Sequence, residues 1–136
     1  MNNLPKEIIC YILNKLENTV DLINFSVTCK KNRNLILSRC SKITDVSMLR
    51  NCEELDLSFC DNIKDVSMLG NCEYLNLSNC NIKDVSMFKN VKKLNLSYCY
   101  DVIDVSSLKN CEELNLSFCV NIKDFSMLIN VKKLIN

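Results

Sequence analysis

The sequence predicts an α/β protein: a short right-handed solenoid with a parallel β wall on one side and turns or 3₁₀ segments on the convex side, preceded by a helical N-terminal cap. Three observations predict it. Cys40, Cys60, Cys80, Cys99 and Cys119 recur at intervals of 20, 20, 19 and 20 residues. Leucines alternate at every second residue in register with them, as in Leu55-Asp56-Leu57 and Leu75-Asn76-Leu77. Residues 1–36 break the period and space their apolar residues as a helix does. A unit of about twenty residues cannot bury its own apolar side, so successive units must stack around one continuous core.

The helical segment comes first. Pro5 suits the first turn of a helix, where an N–H has no intrahelical partner anyway. Ile8, Ile9, Ile12, Leu13 and Leu16 then fall within an arc of about 140° at about 100° per residue. Cys10 and Tyr11 extend this face, which implies contact with more than one surface. Glu17-Asn18-Thr19-Val20 interrupts the pattern. Thr19 or Asp21 can cap a second helix carrying Leu22, Ile23, Phe25 and Val27, and a third short helical piece runs toward Leu35.

Residues 32–136 hold about five coils of 19–20 residues, the last truncated after Val131. Each opens on an alternating segment, from Leu35-Ile36-Leu37 to Leu114-Asn115-Leu116, whose leucines face inward as in a half-buried strand. The second half, Ile63 through Leu69 and its equivalents, is too short for a full helix and predicts a turn or one 3₁₀ turn. Asp45, Asp65, Asp84, Asp104 and Asp124 stand just before it, where a carboxylate can accept the first free backbone N–H groups. Gly70 and Pro5 are the only glycine and proline, so the corners are expected to rely on Asn, Asp and Ser.

Composition excludes several function classes. A formal charge of +1 offers no electrostatic footprint for nucleic acid or an anionic membrane. No apolar stretch is long enough to span a bilayer, and no signal-like N-terminus is present, which predicts an intracellular protein, cytoplasmic or nuclear. Within the repeats the cysteines form two ladders, at 40, 60, 80, 99 and 119 and at 52, 72 and 111. Val91 and Val131 replace the thiol in the second, as a small buried apolar side chain allows and a nucleophile or ligand does not. Ladder neighbours at about 4.8 Å are too far apart for disulfides, whose Cβ atoms lie about 3.5–4.5 Å apart. With no histidine, no closely spaced cysteine pair and no Gly-rich loop, the chain offers no catalytic residues, no metal ligands and no cofactor site. Pairs such as Glu53-Glu54, Lys92-Lys93 and Glu112-Glu113 recur with the period and read as solvated surface.

The repeated frame L-x-x-L-x-L-x-x-C/N-x-x-I resembles the leucine-rich repeat family. Its I-x-D-V-S-x-L half is similar to the short coils of bacterial and nuclear repeats, not to the longer, helix-bearing repeats of F-box proteins. Leu4, Pro5, Glu7, Ile8, Ile12, Leu13, Leu16, Asp21, Leu22, Val27, Cys29 and Lys30 match in order the pattern of an F-box. The link between the helices is one residue longer than in that pattern, and Asn32 stands where the family often has Trp. The combination resembles a substrate receptor of cullin-based ubiquitin ligases. It implies a Skp1-type adaptor held by Leu4, Pro5, Ile8, Ile12, Leu16, Leu22 and Val27, with catalysis left to other subunits. The alternatives are a plain repeat scaffold and a decoy that occupies the adaptor, the helices serving in the scaffold only as a cap.

A target protein would meet the solvent side of the strands. There alternation places Glu54, Tyr74, Lys93 and Glu113 in one row and Asp56, Asn76, Asn95 and Asn115 in another, the asparagines expected to bond to one another as a ladder. Phe59, Tyr98 and Phe118 follow at the strand ends, as exposed anchors or as a packed ring ladder. Six strands at about 4.8 Å and four residues at about 3.3 Å give a wall of about 300 Å², against about 800 Å² per partner in a standard interface. An uncapped last coil also implies one of three outcomes: self-association through its open edge, fraying of that coil, or a truncated gene product. The Asn-, Ile- and Lys-heavy composition is similar to that of F-box and repeat proteins of amoebae and large DNA viruses, and a viral chain would act in the host cell cytoplasm.

Overall fold

A computed structural model describes residues 34–136; the helices expected before Asn34 lie outside the described residues. Six three-residue strands follow in chain order: β1 (Asn34–Ile36), β2 (Glu54–Asp56), β3 (Tyr74–Asn76), β4 (Lys93–Asn95), β5 (Glu113–Asn115) and β6 (Lys133–Ile135). Each pairs in parallel with the next in one open sheet, and each return path carries a single 3₁₀ turn, at Ser47–Leu49, Ser67–Leu69, Ser86–Phe88, Ser106–Leu108 and Ser126–Leu128. The register aligns Leu35, Leu55, Leu75, Leu94, Leu114 and Leu134 in one inward row.

The strands sit one residue earlier than the alternation L-x-L alone suggests, yet pairing continues beyond them. The Leu57 N–H donates to Asn76 O at 2.8 Å and the Phe59 N–H to Ser78 O at 2.9 Å, and the same two bonds recur from Leu77 and Asn79 and from Leu96 and Tyr98. Leu55 and Leu57 are both fully buried, with Asp56 half-buried between them. The interior is filled by Leu, Ile, Val and Cys from every coil.

The cysteines are part of that core, and they also donate. Sγ of Cys80 bonds Leu57 O at 3.1 Å, Cys99 bonds Leu77 O at 3.1 Å and Cys119 bonds Leu96 O at 3.0 Å, each reaching back one coil. Burial pushes Cys72 and Cys80 up to about 12 and Cys99 and Cys111 up to about 11, so these groups stay thiols. Seven of the repeat cysteines form no disulfide. Cys40 departs from the expectation that the thiols serve packing alone: it is disulfide-bonded.

Two kinds of corner close each coil. Ahead of the 3₁₀ turn, the Asp carboxylate accepts the Ser N–H two residues on, at 2.8 Å in all five coils. That bond holds Asp65, Asp84, Asp104 and Asp124 below the usual carboxylate range, the backbone N–H of the following Ser contributing most. After the strand, Asp56, Asn76, Asn95 and Asn115 do the same for Ser58, Ser78, Ser97 and Ser117, at 2.8–3.1 Å. The asparagine row therefore bonds its own backbone, not its neighbours. A side chain two residues from an N–H reaches it more readily than one a rung away, where its carboxamide partner would need the same orientation.

The expectation that Asn, Asp and Ser would make every corner fails at one position. The residue before each ladder cysteine has positive φ: Arg39 (61°), Phe59 (59°), Asn79 (55°), Tyr98 (63°) and Phe118 (63°). It is the third residue of a turn closed, in the last four, by the cysteine N–H donating three residues back, as from Cys99 to Leu96 O at 3.0 Å. Positive φ there favours Gly or Asn, and only Asn79 fits that preference.

Candidate interaction surface

The solvent-facing wall is built by the strands' outward residues. Parallel register stacks Asn34, Glu54, Tyr74, Lys93, Glu113 and Lys133 in one row. Charges alternate from Lys93 to Lys133 along it and from Glu73 to Lys132 along the row just before it. Lys93 pairs with Glu113 at 2.7 Å, Lys133 with Glu113 at 3.4 Å, Lys92 with Glu73 at 2.5 Å and Lys132 with Glu112 at 3.2 Å. The partners are largely exposed, so these pairs add little to stability; they fix a pattern of charge on the wall. Hydrogen bonds from Lys93 and Lys133 hold Glu113 below the usual carboxylate range, while Glu73 raises Lys92 and Glu113 raises Lys93. Burial, then the carboxylates of Asp56 and Glu54, raise Tyr74, whose hydroxyl stays a donor.

Glu54, Glu73, Tyr74, Lys92, Lys93 and Glu113 line a shallow groove of about 420 Å³. A smaller hollow of about 140 Å³ adjoins it toward Asn115, Lys133 and Ile135. The structure thus brings together Glu54, Tyr74, Lys93 and Glu113 from the expected target-facing set. Asp56 lies beside them but is engaged by the Ser58 N–H. Sequence reasoning missed Glu73 and Lys92 as members of the groove. The signal was present: Glu-Glu and Lys-Lys pairs exchange at one register position, and stacking makes such exchanges neighbours.

Phe59, Tyr98 and Phe118 form a separate line at the strand exits. Tyr98 and Phe118 stack with centroids 4.4 Å apart and planes 12° from parallel, Tyr100 meets Tyr98 at 80° and 6.4 Å, and the Arg39 guanidinium lies 5.3 Å from the Phe59 centroid. Of the expected ring ladder, Tyr98 and Phe118 pack on each other while remaining 40% and 59% exposed, and Phe59 is covered by Arg39 instead of a ring. Arg39 and Tyr100 were not foreseen as members.

Among the described residues no group of His, Cys, Asp or Glu could hold a metal ion, and no helix is long and apolar enough to cross a membrane. The residues expected on the adaptor, Leu4, Pro5, Ile8, Ile12, Leu16, Leu22 and Val27, lie outside the described residues.

A model of the F-box domain matches residues 1–44, and a leucine-rich repeat model matches residues 73–89. The chain carries an F-box followed by leucine-rich repeats. Both families are interaction scaffolds, and F-box domains generally bind Skp1-type adaptors. The solved structure of an internalin from Listeria monocytogenes is similar at 27% identity and a TM-score of 0.57; the match covers 68% of this chain and 30% of the internalin chain. That likeness agrees with the short-coil, bacterial type of repeat, with a 3₁₀ turn in place of a helix. No curated protein matches the chain.

Proposed function

We propose that this chain is a substrate-recognition subunit of a Skp1–cullin–F-box ubiquitin ligase, acting inside the cell in cytoplasm or nucleus. The observation that carries the reading is an F-box match immediately upstream of a repeat wall that presents a charged groove and exposed aromatic rings. Leu4, Pro5, Ile8, Ile12, Leu16, Leu22 and Val27 hold the adaptor in this reading, and the groove residues with Phe59, Tyr98 and Phe118 hold a target. The chain supplies proximity: tethering raises the effective concentration of target near a ligase whose chemistry belongs to other subunits.

The test is affinity purification of the full chain followed by mass spectrometry. Recovery of a Skp1-type adaptor, a cullin and a further protein is expected, with adaptor recovery lost on Leu4→Ala plus Pro5→Ala and the further protein lost on Lys93→Glu. Undiminished adaptor binding in the double variant refutes the F-box assignment. A second reading, an adaptor-occupying decoy, is favoured by the small wall; adaptor recovered without any further protein selects it.

A further inference from the structure

The positive-φ corners form a row with one rung missing. In chain order it runs Arg39, Phe59, Asn79, Tyr98, Phe118, one residue per coil. At one end Arg39 covers a face of Phe59, and at the other Phe118 covers a face of Tyr98. Because these contacts stack along the coil axis, they turn the other face of Phe59 and of Tyr98 toward the coil between them, where the residue is the short Asn79 and where Tyr100 stands at 80° to Tyr98 with centroids 6.4 Å apart. Neighbouring coils repeat at about 4.8 Å, so two rungs separate these rings by roughly 9–10 Å. Contact distances of about 3.5–4 Å on each side leave room for one planar group.

We propose that the gap above Asn79 is a slot for the arginine side chain of a bound protein. Two observations favour a guanidinium. The row already uses one in the same way, since Arg39 lies 5.3 Å from the Phe59 centroid. The corner segments around the slot, Phe59–Asn62, Asn79–Asn81 and Tyr98–Asp101, contain two charged residues, Asp61 and Asp101, both acidic. A nucleobase could stack there, but its phosphate would meet those carboxylates. Lysine also carries positive charge but lacks the flat face that stacks on a ring.

The turn itself does not explain the rings. Asn79 makes the same corner at φ 55° with a residue suited to it, whereas Phe59 and Tyr98 hold bulky side chains in a conformation that penalises them. Both rings nevertheless stay 44% and 40% exposed, so burial is not their return. The carboxamide of Asn79 makes no hydrogen bond among the described residues and can turn to meet an incoming donor.

The inference rests on the target-binding reading of the repeats and is tested apart from it. The full chain, isotope-labelled, is titrated with acetyl-Gly-Arg-Gly-amide, its Lys and Phe counterparts, and adenosine monophosphate, while the resonances of Phe59, Asn79 and Tyr98 are followed by NMR. The arginine peptide is expected to shift all three, and the other probes to bind more weakly. Asn79→Tyr, which fills the gap, abolishes the shifts. Tyr98→Asn, which removes one wall and relaxes the corner, weakens binding about threefold to tenfold, as loss of one cation–ring contact would; it decides the question should Asn79→Tyr not fold. Shifts that map elsewhere, unchanged binding in Tyr98→Asn, or tighter binding of any other probe overturns the slot. A chain that recovers its target yet ignores the arginine peptide overturns the slot alone, and failure of the receptor reading shows in the purification instead.

Discussion

Replacing Gly70 by alanine sets two effects against each other. Gly70 follows the 3₁₀ turn Ser67–Leu69 with φ −65° and ψ −7°, a conformation any residue adopts; Arg50, Lys89, Lys109 and Ile129 hold the same place in the other coils. Backbone preference alone would make the substitution stabilising by about 0.4–1 kcal/mol, through the entropy of the unfolded chain. The added Cβ, however, would stand under 3.0 Å from the Met87 carbonyl oxygen and 3.3 Å from its carbon. Those are backbone atoms of the next coil and cannot rotate away, so overpacking of about 1–3 kcal/mol wins. The close approach coincides with the one 19-residue spacing: Cys80-Asn81-Ile82 is one residue shorter than Cys60-Asp61-Asn62-Ile63. The Ile82 N–H bonds Cys80 O two residues back at 2.9 Å, where the Ile63 N–H bonds Cys60 O three back at 3.4 Å. We attribute the close approach to this shorter corner. Urea and thermal unfolding followed by circular dichroism should show Gly70→Ala less stable by about 1–2 kcal/mol, a fall in Tm of roughly 3–10 °C. Inserting Asp between Cys80 and Asn81 should remove that penalty. A neutral or stabilising Gly70→Ala refutes the clash, and an equal cost in both backgrounds refutes its cause.

Cys72→Val and Cys111→Val should each change stability by less than about 1 kcal/mol, as Val91 and Val131 foreshadow, while Leu75→Ala should cost about 2–5 kcal/mol; chemical denaturation separates the two classes. The buried repeat thiols Cys72, Cys80, Cys99 and Cys111 should ignore an alkylating reagent at pH 8. Because burial raises Cys72 and Cys80 from an ordinary 9.0 to about 12, their contribution is complete below pH 9 and declines as pH climbs toward 12; a Tm that is flat above pH 9 would contradict it. The opposite sign holds in acid. Asp65, Asp84, Asp104 and Asp124 titrate below their ordinary 3.8, so their capping is present above that value and lost as pH falls beneath it. The acid limb of the stability curve should flatten when all four are changed to Asn. Phe59→Asn should be neutral or stabilising by up to about 1 kcal/mol, because relief of the left-handed corner outweighs one exposed cation–ring contact; a clear loss in unfolding free energy would show that the ring packs more than its exposure suggests.

The sequence by itself determined the period, the inward leucine row, the parallel order of the strands and the Asp that precedes each 3₁₀ turn. All of these follow from spacing: a twenty-residue repeat has one way to bury its apolar side, and position within the unit fixes which way each residue faces. Val91 and Val131 likewise identified the second cysteine ladder as core without any coordinates. Only the tertiary structure decided what happens between coils. Stacking turned Glu73, Lys92, Glu112 and Lys132 from separate charges into cross-coil pairs, and it spent the asparagine row on its own backbone. It placed Arg39, Phe59, Tyr98 and Phe118 in left-handed corners that propensity would have assigned to Asn or Gly. It also gave the single glycine its reason. Residue type predicts φ only where the local cost is decisive; here a corner locked by ladder hydrogen bonds on both sides imposes the conformation, and the side chain accepts it.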